Sequence, residues 1–238
     1  MKRCVIIPAR GGSKRLPGKN LKTLGVLPLI CWTVREAIQT FDNIIVTSDS
    51  QDILEIVKST YGSGFNKNVG YSKRPEELSG DTSKVIDTVS YYFDLADKVN
   101  PSDEIWLMLP TCPLRTKDDI LHSQDMLKED GVDSILSITE PEFPPSLFLK
   151  ETEEGLITGL DPSHPFASGN SRSQDQPMAY RPNGAIYGSK WESFRKYRNF
   201  YKGNVKGHFM PRERSVDIDT KLDFDIAQLI VGGKKGEA

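Results

Sequence analysis

Short apolar runs, each ending in a polar loop, alternate along this chain with segments of helical periodicity. The runs are Cys4-Val5-Ile6-Ile7, Asn43 to Ser48, Ile105-Trp106-Leu107-Met108-Leu109 and Val132 to Ile138. They are too short for helices, so they predict strands, the first of them buried on both faces. Between them, Leu29, Trp32, Thr33 and Ala37 fall on one helical face behind Pro28. Ile53, Ile56 and Val57 share a second face, and Ile86, Val89 and Phe93 a third. A further helix spans about Lys117 to Lys128, and a terminal one carries Leu222, Ile226, Leu229 and Ile230 before a frayed tail from Gly232. Asp49 or Ser50 is placed to cap the second helix, and Asp81 or Thr82 the third. Strands alternating with helices predict an α/β fold with a mostly parallel sheet.

Two stretches lack this patterning. Residues 61–81 are rich in Gly, Ser, Asn and charge and read as one long loop. From Glu140 to Pro182 prolines are frequent and periodicity is weak, with a Ser/Asn/Gln/Asp stretch from Ser168 to Gln176. That segment buries little by itself; it is either a hairpin arm that packs on another subunit or a lid. The 238 residues then make one domain, with 139–182 as an insertion. A net charge of −2 argues against a nucleic-acid partner. Three cysteines, with no C-x-x-C spacing, suit neither a disulfide framework nor a zinc site. No run reaches the ~20 apolar residues of a membrane span, and no apolar leader opens the sequence, so a cytoplasmic protein with no membrane partner is expected.

The candidate chemistry lies near the two ends. The first strand runs into Ala9-Arg10-Gly11-Gly12-Ser13-Lys14-Arg15-Leu16-Pro17-Gly18-Lys19-Asn20, with Lys22 just beyond. Glycines let backbone N–H groups close on an anion and the cations neutralise it, so the loop suits a triphosphate at the carboxyl end of a parallel sheet. It is not a Walker A loop: five residues, not four, separate Gly12 from Gly18-Lys19, and Asn20 stands where a hydroxyl would bind magnesium. Near the other end, Asp217 and Asp219 are two apart on an extended segment. Their carboxylates then share a face while Val216 and Ile218 enter the core. Paired carboxylates repel unless a cation joins them, and hard oxygens of this kind suit magnesium at a nucleotide. Asp223 and Asp225 fall in the first turn of the terminal helix, where acids are favourable.

The first loop, Ile7-Pro8-Ala9-Arg10-Gly11-Gly12-Ser13-Lys14-Arg15 followed by Lys19-Asn20, resembles the signature of the CMP-acylneuraminate synthetases, or acylneuraminate cytidylyltransferases. Three more blocks follow in that family's order: Arg74-Pro75-x-x-Leu78 before Asp81-Thr82, Arg181-Pro182-Asn183-Gly184-Ala185-Ile186-Tyr187, and Ser215-Val216-Asp217-Ile218-Asp219. Pro110-Thr111-Cys112-Pro113-Leu114-Arg115 is a partial match. Leu109 stands where the family has a glutamine that meets cytosine, and Cys112 where it has a serine. Cys112 reads as structural, and His122 and His164 show no paired ligand spacing.

The resemblance implies a three-layer, Rossmann-like nucleotide-diphospho-sugar transferase fold, dimeric through an inserted arm. It implies that CTP and a nonulosonic acid give a CMP-sugar and pyrophosphate, with Mg2+ on Asp217 and Asp219. It makes Arg10, Lys14, Lys19 and Asp219 the catalytic set, with the backbone of Gly11 to Ser13 also holding phosphate. Ala9, Arg10, Gly11, Gly12, Ser13, Asn20, Arg74, Thr82 and Thr111 would meet the nucleotide. Gln174, Arg181, Asn183 and Tyr187 would meet the sugar, Arg181 through its carboxylate. Leu147 stands where sialic-acid enzymes place a lysine, which turns the expectation toward a legionaminate- or pseudaminate-like acid. The alternatives are a Kdo-type or other nucleotide-sugar pyrophosphorylase and a non-catalytic nucleotide-binding relative.

Overall fold

The elements follow one another as β1 (Arg3–Ala9), the small hairpin β2 (Thr23–Leu24) and β3 (Leu27–Pro28), α1 (Leu29–Ile38), β4 (Asn43–Ser48), α2 (Gln51–Tyr61) and β5 (Val69–Lys73). Next come α3 (Val85–Val99), β6 (Glu104–Leu107), α4 (Lys117–Leu127), β7 (Ser134–Thr139), and the hairpin β8 (Leu149–Glu151) and β9 (Ile157–Gly159). The chain closes with β10 (Arg181–Lys190), α5 (Trp191–Tyr197), β11 (Val205–Phe209) and α6 (Lys221–Gly233). The structure is a computed structural model and describes residues 1–62, 68–99, 101–161, 164–165 and 168–233.

β1 is buried from Cys4 to Ala9 because it sits inside a seven-stranded sheet ordered β11-β7-β10-β6-β1-β4-β5. All strands run parallel except β10, which is antiparallel to both β6 and β7. Alternate residues face opposite layers. Val5, Ile7 and Ala9 pack with Ile30 and Val34 of α1, Ile53 and Val57 of α2, and Ile120 of α4. Cys4 and Ile6 pack with Val89 and Phe93 of α3 and with Trp191 and Phe194 of α5. Helices on both faces are why the strand sequences are continuously apolar, each buried Val, Ile or Leu contributing ~1.5–3 kcal/mol.

A third apolar cluster lies below one end of the sheet. It joins Leu16 of the first loop, Leu24, Leu29 and Leu114 to Ile218, Ala227 and Val231. This small core seats the loop and the aspartate segment on common ground.

The structure departs from the sequence reading at several points. The stretch 61–81 is not one loop. It contains β5, which pairs with β4 from Ile44↔Val69 to Ser48↔Lys73. As an edge strand with Gly70 inside it, β5 is only partly buried, so its apolar signal is weak. Residues 63–67 of that stretch lie outside the described residues. Ser50, not Asp49, occupies the cap position of α2, and its side chain makes no capping bond. α6 turns Ala227 and Val231 inward, with Gln228 accepting the Gly25 N–H. Leu222, Ile226 and Leu229 are left exposed, because the close approach to the β2–β3 hairpin admits the smaller face of the helix. The helix continues through Gly233, and the rest of the expected frayed tail, 234–238, lies outside the described residues. Within the insertion, β8 and β9 form an exposed hairpin; residues 162, 163, 166 and 167 lie outside the described residues. Cys4, Cys31 and Cys112 are buried free thiols. Among the described residues no helix is long and apolar enough to cross a membrane.

Candidate active site

The chain leaves β1 for β4 on one side and returns to β6 on the other. In such sheets a crevice opens beyond the carboxyl ends of the strands at that reversal. Here it is a cleft of about 490 Å³. Arg10, Gly12, Ser13, Lys14, Arg15, Lys19 and Asn20 line one wall, Leu109, Pro110 and Thr111 another, and Asp217 and Asp219 a third.

Gly11 passes so close to the start of α2 that a Cβ there would lie 2.8 Å from that of Ser50. Its N–H donates to Asp49 Oδ1 at 2.8 Å. The Asp49 carboxylate, expected as a helix cap, therefore fixes the first loop. The Ser13 N–H turns back to the Gly11 carbonyl at 3.0 Å. Of the three backbone N–H groups expected to face an anion, only that of Gly12 makes no bond among the described residues.

The cations are held by carboxylates on two sides. Arg10 donates to Asp81 Oδ1 at 3.0 Å, and Lys14 lies 2.7 Å from Asp81 Oδ2. Hydrogen bonds from Lys14 and then Arg10 hold the Asp81 carboxyl below the usual range. Asp81 caps no helix, since α3 starts only at Val85. On the other side Arg15 meets Asp219 Oδ2 at 2.7 Å and Lys19 meets Oδ1 at 3.0 Å. The Lys19 ammonium also donates to the Ile218 carbonyl at 2.5 Å and is almost buried. Asn20 is buried and donates to the Arg10 carbonyl at 2.8 Å, while its Oδ1 has no partner and can accept from a hydroxyl.

Not every expected site residue comes to the cleft surface. Arg74 lines it but is 6% exposed, and its Nη2 donates to the Ala9 and Thr47 carbonyls at 3.2 and 3.0 Å. Burial pulls its pKa down, opposed by the Asp49 charge. Its role here is to tie the ends of β1 and β4 together through Nη2, while its Nε is buried without a partner. Ala9 is buried and Thr82 exposed, and neither lines the cleft; Ser83 and Lys84 take the place given to Thr82.

None of the four sugar candidates lines this cleft. Gln174 sits in an exposed turn, its carbonyl oxygen facing Arg172. Arg181 is exposed at the start of β10, with Nη1 3.4 Å from the Pro182 carbonyl. Tyr187 is half-buried beside Phe200 and Tyr201, and burial pushes its phenol up. Asn183 is 1% exposed and fully engaged. Its Nδ2 donates to Ser215 Oγ at 2.9 Å and lies 3.4 Å from Met210 Sδ; its Oδ1 accepts from Ser137 Oγ at 2.5 Å and from the Ala185 N–H at 3.1 Å. Gly184, at φ 78°, makes the turn that aims Asn183 inward. Cys112 is structural as expected: its thiol donates to the Asn183 carbonyl at 2.6 Å, and burial pushes its pKa up.

Residues 4–135 match the sequence profile of the family described as Cytidylyltransferase. The chain belongs to this family. It is 32% identical over 231 residues to an N-acylneuraminate cytidylyltransferase of Streptococcus agalactiae serotype V, covering 94% of this chain and 52% of that relative. The chain thus spans about half the length of that cytidylyltransferase. It is 31% identical to the CMP-N,N'-diacetyllegionaminic acid synthase of Legionella pneumophila, with 97% of each covered. It is 28% identical to the pseudaminic acid cytidylyltransferase of Campylobacter jejuni serotype O:2, with 97% and 96% covered. Among solved structures, a CMP:2-keto-3-deoxy-manno-octonic acid synthetase complexed with CTP superposes with a TM-score of 0.68 at 15% identity, covering 98% of this chain and all of that one. The 4-diphosphocytidyl-2C-methyl-D-erythritol synthase of Anaerococcus prevotii gives 0.62 at 14% identity, covering 97% and 96%. At those identities the likeness shows the fold, the Rossmann-like architecture of the cytidylyltransferases.

Sequence reasoning missed the anionic partners of the loop. Asp49 directly follows β4 and Asp81 follows the R-P-x-x-L block, but local pattern offered both as caps. Asp81 occupies two cations that an incoming phosphate would need. Asp81→Asn is therefore expected to bind inorganic pyrophosphate roughly two- to fivefold more tightly in calorimetric titration, the scale of an exposed ion pair. Weaker binding by the variant would mean that Asp81 instead presents Arg10 and Lys14 to the anion.

Proposed function

We propose that the protein transfers CMP from CTP to a nonulosonic acid, releasing pyrophosphate. The observation that carries this is the meeting of the cationic loop with Asp217 and Asp219 across one cleft. Relatives named for sialic, legionaminic and pseudaminic acids support the substrate class.

In this reading the anomeric hydroxyl of the acid attacks the α-phosphorus and pyrophosphate departs toward the loop. Arg10, Lys14 and the Gly12 N–H take the β- and γ-phosphates as Asp81 yields. Lys19 and Arg15 brace Asp219. The rate comes from positioning and charge neutralisation rather than covalent chemistry. Asn20 Oδ1 is free to accept a ribose hydroxyl. Leu109 makes no hydrogen bond to a base edge, so cytosine is read by neighbouring backbone groups.

Magnesium fits the donor set. Asp217 and Asp219 both line the cleft, as many carboxylates as magnesium takes from a protein beside phosphate and water; Asp217 is exposed and makes no salt bridge among the described residues, whereas Asp219 would release the exposed Arg15 to take the ion. Bound there, it supplies Lewis-acid charge neutralisation at the phosphate and the attacking hydroxyl. We place the reaction in the cytoplasm, and we favour a legionaminate- or pseudaminate-like acid over N-acetylneuraminate because Leu147 replaces a lysine.

A homodimer is part of the proposal. The arm exposes Phe143 (63%), Leu156 (66%), Ile157 (57%) and Met178 (73%), more apolar surface than a two-stranded hairpin keeps in water unaided. Sedimentation equilibrium is expected to give twice the chain mass, and Leu156→Asp with Ile157→Asp to give the monomer. The activity itself is tested by pyrophosphate release from each of the four NTPs against a panel of nonulosonic acids. CTP with at least one acid is expected to react. Release from no pair, or equal release without any acid, would refute the proposal.

A further inference from the structure

The chain from Pro211 to Thr220 carries both aspartates yet belongs to no strand. Ladder hydrogen bonds fix the strand ends around the cleft; this wall is fixed largely by side chains. The strongest hold is a fork. Arg214 Nε donates to Asp119 Oδ2 at 3.1 Å and Nη2 to Oδ1 at 2.8 Å. Asp119 sits in the first turn of α4, 4% exposed. Its Oδ2 also accepts the Thr116 N–H and hydroxyl at 2.9 Å each, and His208 Nε2 lies 3.4 Å from Oδ1. Burial alone pushes the Asp119 pKa up, but the His208, Arg214 and Thr116 bonds outweigh it and hold the carboxyl far below the usual range. The anchor is thus a permanent anion on a packed helix. Arg214 and Asp119 both lie outside the cleft lining. Next along the chain, Ser215 Oγ accepts from Asn183, and the Ile218 N–H donates to the Thr111 carbonyl at 2.8 Å.

We propose that the Arg214–Asp119 fork is a positioning pair, which sets where Asp217 and Asp219 stand relative to the cationic loop. The assignment rests on the nucleotidyl-transfer reading above. Bidentate geometry, not charge alone, does the holding, so lysine is a poor substitute. A carboxylate displaced by an ångström costs about a hundredfold in rate, while groups that only bind the triphosphate are untouched.

The test uses Arg214→Gln and Arg214→Lys in the full chain, with folding checked by circular dichroism. Arg214→Gln is expected to lower kcat about a hundredfold and leave KM for CTP within about twofold, with Arg214→Lys in between. Amide hydrogen exchange at 215–220 is expected to quicken in both variants while β1, β4 and β6 stay protected. Wild-type kcat in Arg214→Gln would overturn the proposal. So would a fall in kcat with exchange at 215–220 unchanged, or a fall shared equally by every part of the sheet. If the wild-type chain releases no pyrophosphate with any NTP, the reaction reading fails, and the exchange measurement still decides whether the fork holds the segment.

Discussion

Asp219→Asn is expected to reduce turnover by about a hundred- to a thousandfold, the scale of removing one preorganised charge-stabilising group. The residue stands between two systems. On one side it bonds Arg15 and Lys19; on the other its backbone N–H is held by Asp223 Oδ2 at 3.1 Å. Asparagine keeps the shape and loses the charge, so the nearly buried Lys19 ammonium loses its counter-ion and keeps only neutral acceptors, the amide oxygen and the Ile218 carbonyl at 2.5 Å. A modest loss of thermal stability follows from that unpaired charge. CTP affinity changes far less, because Arg10, Lys14 and the Gly12 N–H lie apart from the lost carboxylate. Asp217→Asn separates the two effects. Asp217 is exposed and makes no salt bridge among the described residues, so its asparagine variant is expected to lose turnover at unchanged melting temperature. Steady-state kinetics with a magnesium titration and a thermal melt on both variants check this. Normal turnover and normal magnesium dependence in Asp219→Asn would remove the aspartate pair from the mechanism.

Asn183→Ala is expected to cost about 3 kcal/mol, since it opens a void in a dry interior and strips the Ala185 N–H of its acceptor, while the Ser137 and Ser215 hydroxyls keep only their bonds to Ile186 and to Met210 and Pro211. For a domain of this size that is a fall in melting temperature of roughly 6–12 °C. Turnover falls as well, because Ser215 begins the segment that leads to Asp217. The alternative is the role first given to Asn183, direct contact with the sugar. It predicts a raised KM for the acid at unchanged melting temperature and unchanged KM for CTP. Differential scanning calorimetry with the two KM values decides between them. A melt indistinguishable from wild type would refute the structural role.

The first loop and the S-V-D-I-D segment were legible in the sequence because their residue types carry the chemistry wherever they are placed. Glycines beside cations suit an anion, and spaced aspartates suit a hard cation. Asn183 and Arg74 were legible as singular residues but not in their direction. A motif names the side chain; only the packed structure shows that Asn183 points between Ser137 and Ser215, and that Arg74 Nη2 reaches back to the Ala9 and Thr47 carbonyls. The opposite error befell Asp81 and Asp49. Each lies within a few residues of a helix start and reads locally as a cap, while its partner lies on the first loop. Leu222, Ile226 and Leu229 show the same limit: periodicity found the helix, but the β2–β3 hairpin chose which face was covered.

The alternation of the central strands with helices, the mostly parallel sheet and the two charged segments were determined by the sequence itself, because burial on two faces demands apolar runs and a helix demands its own period; the edge strands β5 and β11 and the reversal of β10 were not. Which distant charges became neighbours was decided only by the tertiary structure. Arg15 and Asp219 stand 204 positions apart and meet at 2.7 Å. They do so because Leu16 and Ile218, each beside one of them, are buried in the same apolar cluster, a packing choice that no local pattern encodes.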